Sequence, residues 1–333
     1  MIIGPAVIAL NGGAILVAGF GLIAAGVGAD ILRGWDLASG AEAQLRRERR
    51  TGLVSAVFAR LLVVQFFSIF LFIHTADHLH HLFVGAMCAA GSLNVNPNGY
   101  PTLLLKLANL VLCGLWLILN HLDNQGRDYP LIRRKYRFLI GLSGLLLLEA
   151  GWQYRYFAGL RPNVITSCCG TLFSADAATA GGRMAGLPAL PTAAVFFSGA
   201  FFTVAAGIFF LKTERGARAF AWASGMFLFL ALAAIVSFIS VYFYQLPTHH
   251  CPFCILQREY GHVGYALYLS LLAAAIPGMG VGLVEGMGRA ESLQGAIRPM
   301  QRRLCAISLA GVTVFAAVSL YPMITGDFVY LGY

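Results

Sequence analysis

The sequence predicts an all-α, polytopic membrane bundle of about eight transmembrane helices, on three observations. Of its 333 residues 59% are hydrophobic and only 11% charged, where soluble domains carry roughly 25% charged residues. The apolar residues fall in runs of about 20 or more, the length a helix needs to cross roughly 30 Å of hydrocarbon. The basic residues collect in every second connection between those runs, as the positive-inside rule requires of a multi-pass chain.

The runs, taken in order, have cores near 3–27, 52–74, 101–121, 138–158, 191–211, 219–244, 259–284 and 304–325. The first has no Lys or Arg ahead of it and no small-residue cleavage site after it, so it reads as a retained span and not a signal peptide. Short polar stretches separate the runs. The chain 1–333 is therefore expected to be one integral membrane domain, divisible into four-helix halves 1–158 and 191–333 joined by an outer loop at 159–190.

Four alternate connections hold seventeen of the 23 basic residues: Arg33 with Arg46, Arg47, Arg49 and Arg50; Arg127 with Arg133, Arg134, Lys135 and Arg137; Lys212, Arg215 and Arg218; and Arg289, Arg298, Arg302 and Arg303. These belong in the cytoplasm. Segments 75–100, 159–190 and 245–258, poor in basic residues, then face outward, as do both termini. The net charge of +9 is a topology signal that needs no nucleic-acid partner. The lipid bilayer of the inner, or plasma, membrane is the expected setting. The 38 glycines lie largely in the spans, where small residues let helices approach closely.

Seven cysteines carry the chemical interest. On this topology Cys168-Cys169 and the Cys251-Pro252-Phe253-Cys254 pair face outward, where disulfides form and persist. Cys113, within a span, and Cys305, at a cytoplasmic helix end, read as small buried apolar residues. A C-x-x-C pair often holds one thiol of lowered pKa able to exchange disulfides. The same spacing could hold half of a metal site, with His249 and His250 beside it as imidazole ligands for zinc or copper.

The stretch Cys251-Pro252-Phe253-Cys254-Ile255-Leu256-Gln257-Arg258, opening directly into a span from the outer side, resembles the first cysteine motif of the disulfide-bond-formation protein B (DsbB) family. The resemblance implies that Cys251 and Cys254 are an accessible redox pair facing a membrane quinone, with Arg258, and Gln257 beside it, at the quinone head group. An interfacial Arg suits that task on electrostatic grounds too, since it stabilises a thiolate and the charge developing on a reduced quinone. The match covers one helix boundary. Proteins of that family have four helices and a second cysteine pair after the third. Here the other outward pair, Cys168-Cys169, comes earlier, in a loop of about 30 residues long enough to reach toward Cys251. Its two cysteines could exchange with Cys251 and Cys254 or bind a soft metal.

A second constellation sits at the outer end of the second span. His74, Asp77, His78 and His81 recur at i, i+3, i+4 and i+7, one face of a helix that continues that far. Such a face could ligate a metal or haem, or relay protons to a quinone. If the helix stops near His74, the same residues simply lie in wet loop. His80 and Cys88 add ligands nearby without a fixed geometry.

Within the spans, Glu149 with Gln153 reads either as a hydrogen-bonded packing residue or as a proton-path carboxylate. Gln65 and Asn109 read as interhelical glue, Lys106 as a snorkelling cation, and Trp152, Tyr154, Tyr156 and Phe157 as an interfacial belt. No phosphate-binding glycine loop, G-x-S-x-G elbow or H-E-x-x-H is present, against an ATPase, a serine hydrolase or a zinc protease. The expected function is a membrane thiol-disulfide oxidoreductase passing electrons between a periplasmic thioredoxin-like thiol protein and a membrane quinone. The alternative is a metal- or haem-handling membrane subunit, working with other membrane subunits, with His74, Asp77, His78, His81, His249 and His250 as ligands.

Overall fold

The computed structural model describes residues 4–36, 39, 41–126, 128–167, 169–174, 179–288 and 291–330, the side chains of 169, 170 and 291 lying outside that description. Among the described residues eight long helices carry the fold: α1 (Pro5–Gly34), α2 (Glu42–His78), α3 (Gly99–Asp123), α4 (Ile132–Ala158), α5 (Ala189–Thr213), α6 (Ala217–Tyr244), α7 (Val263–Glu285) and α8 (Gln294–Thr325). Helix is the expected solution where no water is present to satisfy backbone N–H and C=O groups. Seven of the eight, all but α4, are long and apolar enough to cross a bilayer. The remaining helix, α4, has the required length, but Glu149, Gln153 and Arg155 dilute its apolar character. The chain is a multi-pass, all-α membrane protein.

Several helices outrun the expected hydrophobic cores. At about 1.5 Å per residue, the 37 residues of α2 exceed the hydrocarbon thickness. Arg46, Arg47, Arg49 and Arg50 therefore stand on helix and not in a loop, and Arg298, Arg302 and Arg303 likewise stand on α8. Arg and Glu are good helix formers, so the charged turns continue the apolar ones without a break. Arg47 uses its position to bind both carboxylate oxygens of Asp30 at 3.2 Å and the Gly34 carbonyl at 2.8 Å.

The chain divides into two compact units. The first comprises 1–75, 95–162 and 287–298; the second comprises 76–94, 163–286 and 299–333. In the first, α4 packs on α1 and on α3. Phe58 meets Trp116 edge-on at 5.2 Å, and Tyr136, Leu139 and Leu142 complete the apolar centre. Gly28 sets the spacing of α1 on α4, since a Cβ there would lie 2.8 Å from the Tyr136 ring.

Glu149 is the polar centre of this unit. Its Oε1 accepts from Lys106 Nζ at 2.8 Å, while its Oε2 accepts from Gln65 Nε2 at 2.5 Å and Asn109 Nδ2 at 2.7 Å. Lys106 does not snorkel. It is fully buried and also donates to Ser68 Oγ at 2.6 Å, because a carboxylate within reach offsets its desolvation better than a stretch toward distant water. The aromatic belt also divides: Tyr156 and Phe157 are buried against Phe72, while Tyr154 is exposed. Their one-turn geometry puts 156 and 157 on the face that meets α2.

In the second unit α6 packs on α5 and α7, and Gly311 of α8 lies so close to α7 that a Cβ would be 2.7 Å from the Ser270 carbonyl. Near its C-terminal end α6 widens into a π turn at Ile235–Ile239, every residue of which is buried.

Glu149→Ala leaves the Lys106 ammonium buried and unpaired, and is expected to cost about 3–5 kcal/mol. Thermal unfolding in detergent should show the loss, and the double replacement Lys106→Met with Glu149→Leu should recover most of it. Equal melting of Glu149→Ala and the unaltered protein would refute the pairing.

Candidate functional site

The site lies wholly within the second unit and is made by two stretches far apart in sequence. The first begins where α2 ends. The helix runs to His78, past the point where a wet loop was the alternative, and a 3-10 turn at His80–Leu82 follows. Gly85, at φ +87°, turns the chain so that Cys88 precedes a short helix, Ala89–Leu93. Gly91 permits the tightness of this turn, since a Cβ would lie 2.8 Å from Ala86.

The 159–190 loop straps this stretch. Val84 N donates to Val164 O at 3.0 Å, Thr166 N to Val84 O at 2.9 Å and Thr166 Oγ1 to Gly91 O at 3.0 Å. A few residues on, Phe173 meets Phe253 edge-on at 6.4 Å. The sequence on both sides of Cys168-Cys169 is thus fastened to the site. Cys168 itself lies outside the described residues, as does the side chain of Cys169, whose backbone opens the helix Cys169–Leu172.

The second stretch joins α6 to α7. It does not open directly into a span, as the sequence suggested. Two 3-10 turns, Cys254–Leu256 and Arg258–Tyr260, intervene, and Gly261 and His262 at φ +60° and +56° reset the backbone before α7 starts at Val263. Left-handed residues cannot continue a right-handed helix, which explains the delayed start. Two tyrosines fix the cysteine loop: Tyr244 Oη donates to the Cys251 carbonyl at 2.5 Å and Tyr268 Oη to the Pro252 carbonyl at 2.6 Å.

The stretches meet through sulfur and through one carboxylate. Cys88 Sγ lies 3.6 Å from Cys251 Sγ, and the sulfurs of Cys88, Cys251 and Cys254 are all within 4.8 Å of one another. Asp77 Oδ1 accepts from Ala89 N at 3.0 Å, next to Cys88, and from Gln257 Nε2 at 2.9 Å, three residues beyond Cys254. The cysteines are not accessible in the manner expected: Cys88 is 0%, Cys251 1% and Cys254 6% exposed. Phe253, Ile255 and Leu256 are drawn inward with them, because the turn after Cys254 folds its apolar side chains into the bundle and does not lift them toward the interface. Arg258 is exposed.

The histidines scatter. His74, His78 and His81 are exposed; the rings of His78 and His81 lie 5.7 Å apart, and His80 Nδ1–H donates to the Asp77 carbonyl. His249 rests edge-on against Tyr244 at 4.5 Å. His250 is buried, its Nδ1–H donating to the Val236 carbonyl of the π turn at 2.9 Å. Among the described residues, the three cysteines are the group of three or more ligand side chains whose donor atoms converge. Asp77, a ligand in the alternative metal reading, joins the two stretches through its Oδ1. Cys88, Tyr244 and Tyr268 were not legible from spacing, because each reaches the site only through the fold.

Comparison of the chain with models of protein families, with curated proteins and with solved structures found no match. Fold and site together define a multi-pass membrane protein with a buried three-cysteine cluster, beside which the 159–190 loop is tied at Thr166.

Asp77→Ala removes both hydrogen bonds of the clamp. Labelling of Cys88 and Cys251 by a thiol reagent in the reduced protein should then rise about tenfold or more, in line with a loss of roughly 1.5–3 kcal/mol for a charged hydrogen-bonded group; unchanged labelling would show that the clamp does not hold the site shut. Burial, ahead of its backbone hydrogen bonds, depresses the pKa of His250. The unfolded chain, with an imidazole near 6.5, therefore takes up a proton that the folded one refuses. Stability is full above about pH 6.5 and declines as pH falls from there toward the lowered folded value. Melting temperatures from pH 7 to 5 should fall, and less steeply in His250→Asn.

Proposed function

We propose that the chain is a thiol-disulfide oxidoreductase of the inner (plasma) membrane, both termini outside, which moves electrons from a periplasmic thioredoxin-like thiol protein to a membrane quinone. The observation that carries this reading is the convergence of three sulfurs from two remote stretches, with Cys88 and Cys251 in contact. Disulfide exchange is attack of a thiolate on a sulfur, and its rate depends on access and alignment. Fixing the sulfurs within one cluster supplies the alignment among them without diffusion.

The reaction balances in two halves. In the first, two donor thiols become a disulfide while the Cys251–Cys254 disulfide takes up two electrons and two protons to give two thiols. In the second, the Cys251–Cys254 disulfide re-forms. A bound quinone supplies the acceptor for those two electrons and two protons. The donor set suits such a group: Arg258 presents an exposed guanidinium four residues beyond Cys254, and among the described residues it makes no ion pair. Gln257, engaged by Asp77, holds the backbone that carries Arg258 and leaves the guanidinium to the head group.

Burial of the pair decides the route by which electrons arrive. A folded donor protein cannot touch sulfurs this enclosed, so the first contact falls to Cys168 and Cys169, in the loop that Thr166 and Phe173 tie to the site. Burial of the inner pair then protects it from stray thiols and oxidants.

Quinone reduction by the purified protein, driven by a reduced thioredoxin-like donor, should be abolished by Cys254→Ser and lowered at least about tenfold by Arg258→Ala, with the latter loss appearing mainly in the KM for quinone. Full turnover by Cys254→Ser would remove this function from the site.

A further inference from the structure

We propose that the groove between α6 and α7 is a site for one anionic phospholipid, its phosphate paired with Arg218 and one acyl chain laid along the groove. The proposal concerns a bilayer face of the second unit and does not rest on electron transfer.

The groove has a volume of about 430 Å³, within the roughly 300–1,000 Å³ of small-molecule sites. Its floor exists because small residues let the two helices touch: a Cβ on Gly282 would lie 2.5 Å from that of Ala221. Gly225, one turn further along α6, keeps the floor low. It puts no side chain in front of Met279 of α7, whose sulfur would stand 3.6 Å from a Cβ there. Trp222, Met226 and Phe229, at i, i+4 and i+7 on α6, form the raised wall, and they are 77%, 57% and 68% exposed. Exposed apolar side chains alone are the ordinary outer surface of a span. A crease between them with a cation at its end is not.

That cation supplies a partner for a headgroup. Arg218 stands in the first turn of α6, lines the groove, is exposed, and makes no ion pair among the described residues. Lys212 and Arg215, just ahead of it, are exposed too, and Glu214, the acid among them, pairs with Arg302 at 3.6 Å. A phosphate here meets a positive field, to which the amino end of the helix adds. A zwitterionic headgroup would bring its own ammonium into that field, so the site selects lipids of net negative charge.

The length of the groove matches one leaflet. Arg218 and Phe229 are eleven residues apart, about 16 Å at 1.5 Å per residue, and half of a hydrocarbon core of roughly 30 Å is about 15 Å. A chain that starts from a phosphate on Arg218 therefore reaches the bilayer midplane where the wall ends at Phe229. An apolar molecule without a phosphate would fill the crease and leave the guanidinium unmatched.

The full-length protein in detergent would be titrated with phosphatidylglycerol, or with phosphatidylcholine of the same chains, and the first lipid bound followed by native mass spectrometry. Phosphatidylglycerol should be preferred about fivefold, the effect of one basic residue beside an anionic headgroup. Arg218→Gln should abolish the preference, and Arg49→Gln, on α2, should leave it unchanged. In vesicles, tryptophan fluorescence of the unaltered protein should be quenched more by phosphatidylglycerol with brominated chains than by brominated phosphatidylcholine, and Trp222→Phe should remove most of that excess. The excess is first read on the unaltered protein, so a variant that folds poorly cannot hide it. Equal affinity for the two lipids, a preference that survives Arg218→Gln, an excess undiminished by Trp222→Phe, a dimer that excludes the lipid, or a long-chain quinone that displaces it would each overturn the proposal.

Discussion

The second unit is organised around the carboxylate of Asp77. Standing one residue before the end of α2, it accepts one hydrogen bond from the turn that carries Cys88 and another from the turn that carries Gln257. In an environment short of water, a carboxylate that is not fully hydrated must find donors, and each one it finds is held more firmly than at a wet surface. Two stretches separated by about 160 positions are thereby brought into one register. The contact between Cys88 and Cys251 follows from it, as does the enclosure of Cys254. The hydroxyls of Tyr244 and Tyr268 act on the same loop, donating to the Cys251 and Pro252 carbonyls.

The first unit solves the same problem without any sulfur chemistry. Glu149 gathers Lys106, Gln65 and Asn109 from two neighbouring helices. Its three hydrogen bonds give the helices a preferred rotation, which apolar packing among leucines does not supply in lipid. Both units thus use a single acid as the fixed point, one in a span and one at a span's end.

The membrane class was legible because it depends on bulk quantities: the length of apolar runs and the placement of Arg and Lys are set by the bilayer, and no tertiary detail can mask them. Helix ends were less legible. Arg46 to Arg50 look like a loop in the sequence, yet they ride on α2, since charge does not stop a helix when its backbone bonds can continue. At the site, the C-x-x-C spacing announced Cys251 and Cys254, but nothing in local spacing links them to Cys88. That link needs a long-range hydrogen bond between Asp77 and Gln257, and the same i, i+3, i+4 pattern that singled out Asp77 suggested a ligand set with His74, His78 and His81, which the structure leaves exposed. Periodicity identified the face of the helix on which Asp77 stands, and the structure adds the two hydrogen bonds it accepts there. Lys106 was misjudged for a related reason: a one-dimensional reading sees the distance to water and cannot see Glu149 on another helix.

The π turn of α6 carries a further implication for how this chain tolerates change in length. Each residue of an α-helix rotates its successor by about 100°, and a π turn arises when one extra residue is accommodated within a helix. Deleting a single residue between Ile235 and Ile239 would return the segment to regular winding and swing everything after it around the axis by that angle. Tyr244 would then point away from the Cys251 carbonyl, and Val236 would no longer present its oxygen to His250. Insertions and deletions here act as a rotation of the cysteine loop's anchor.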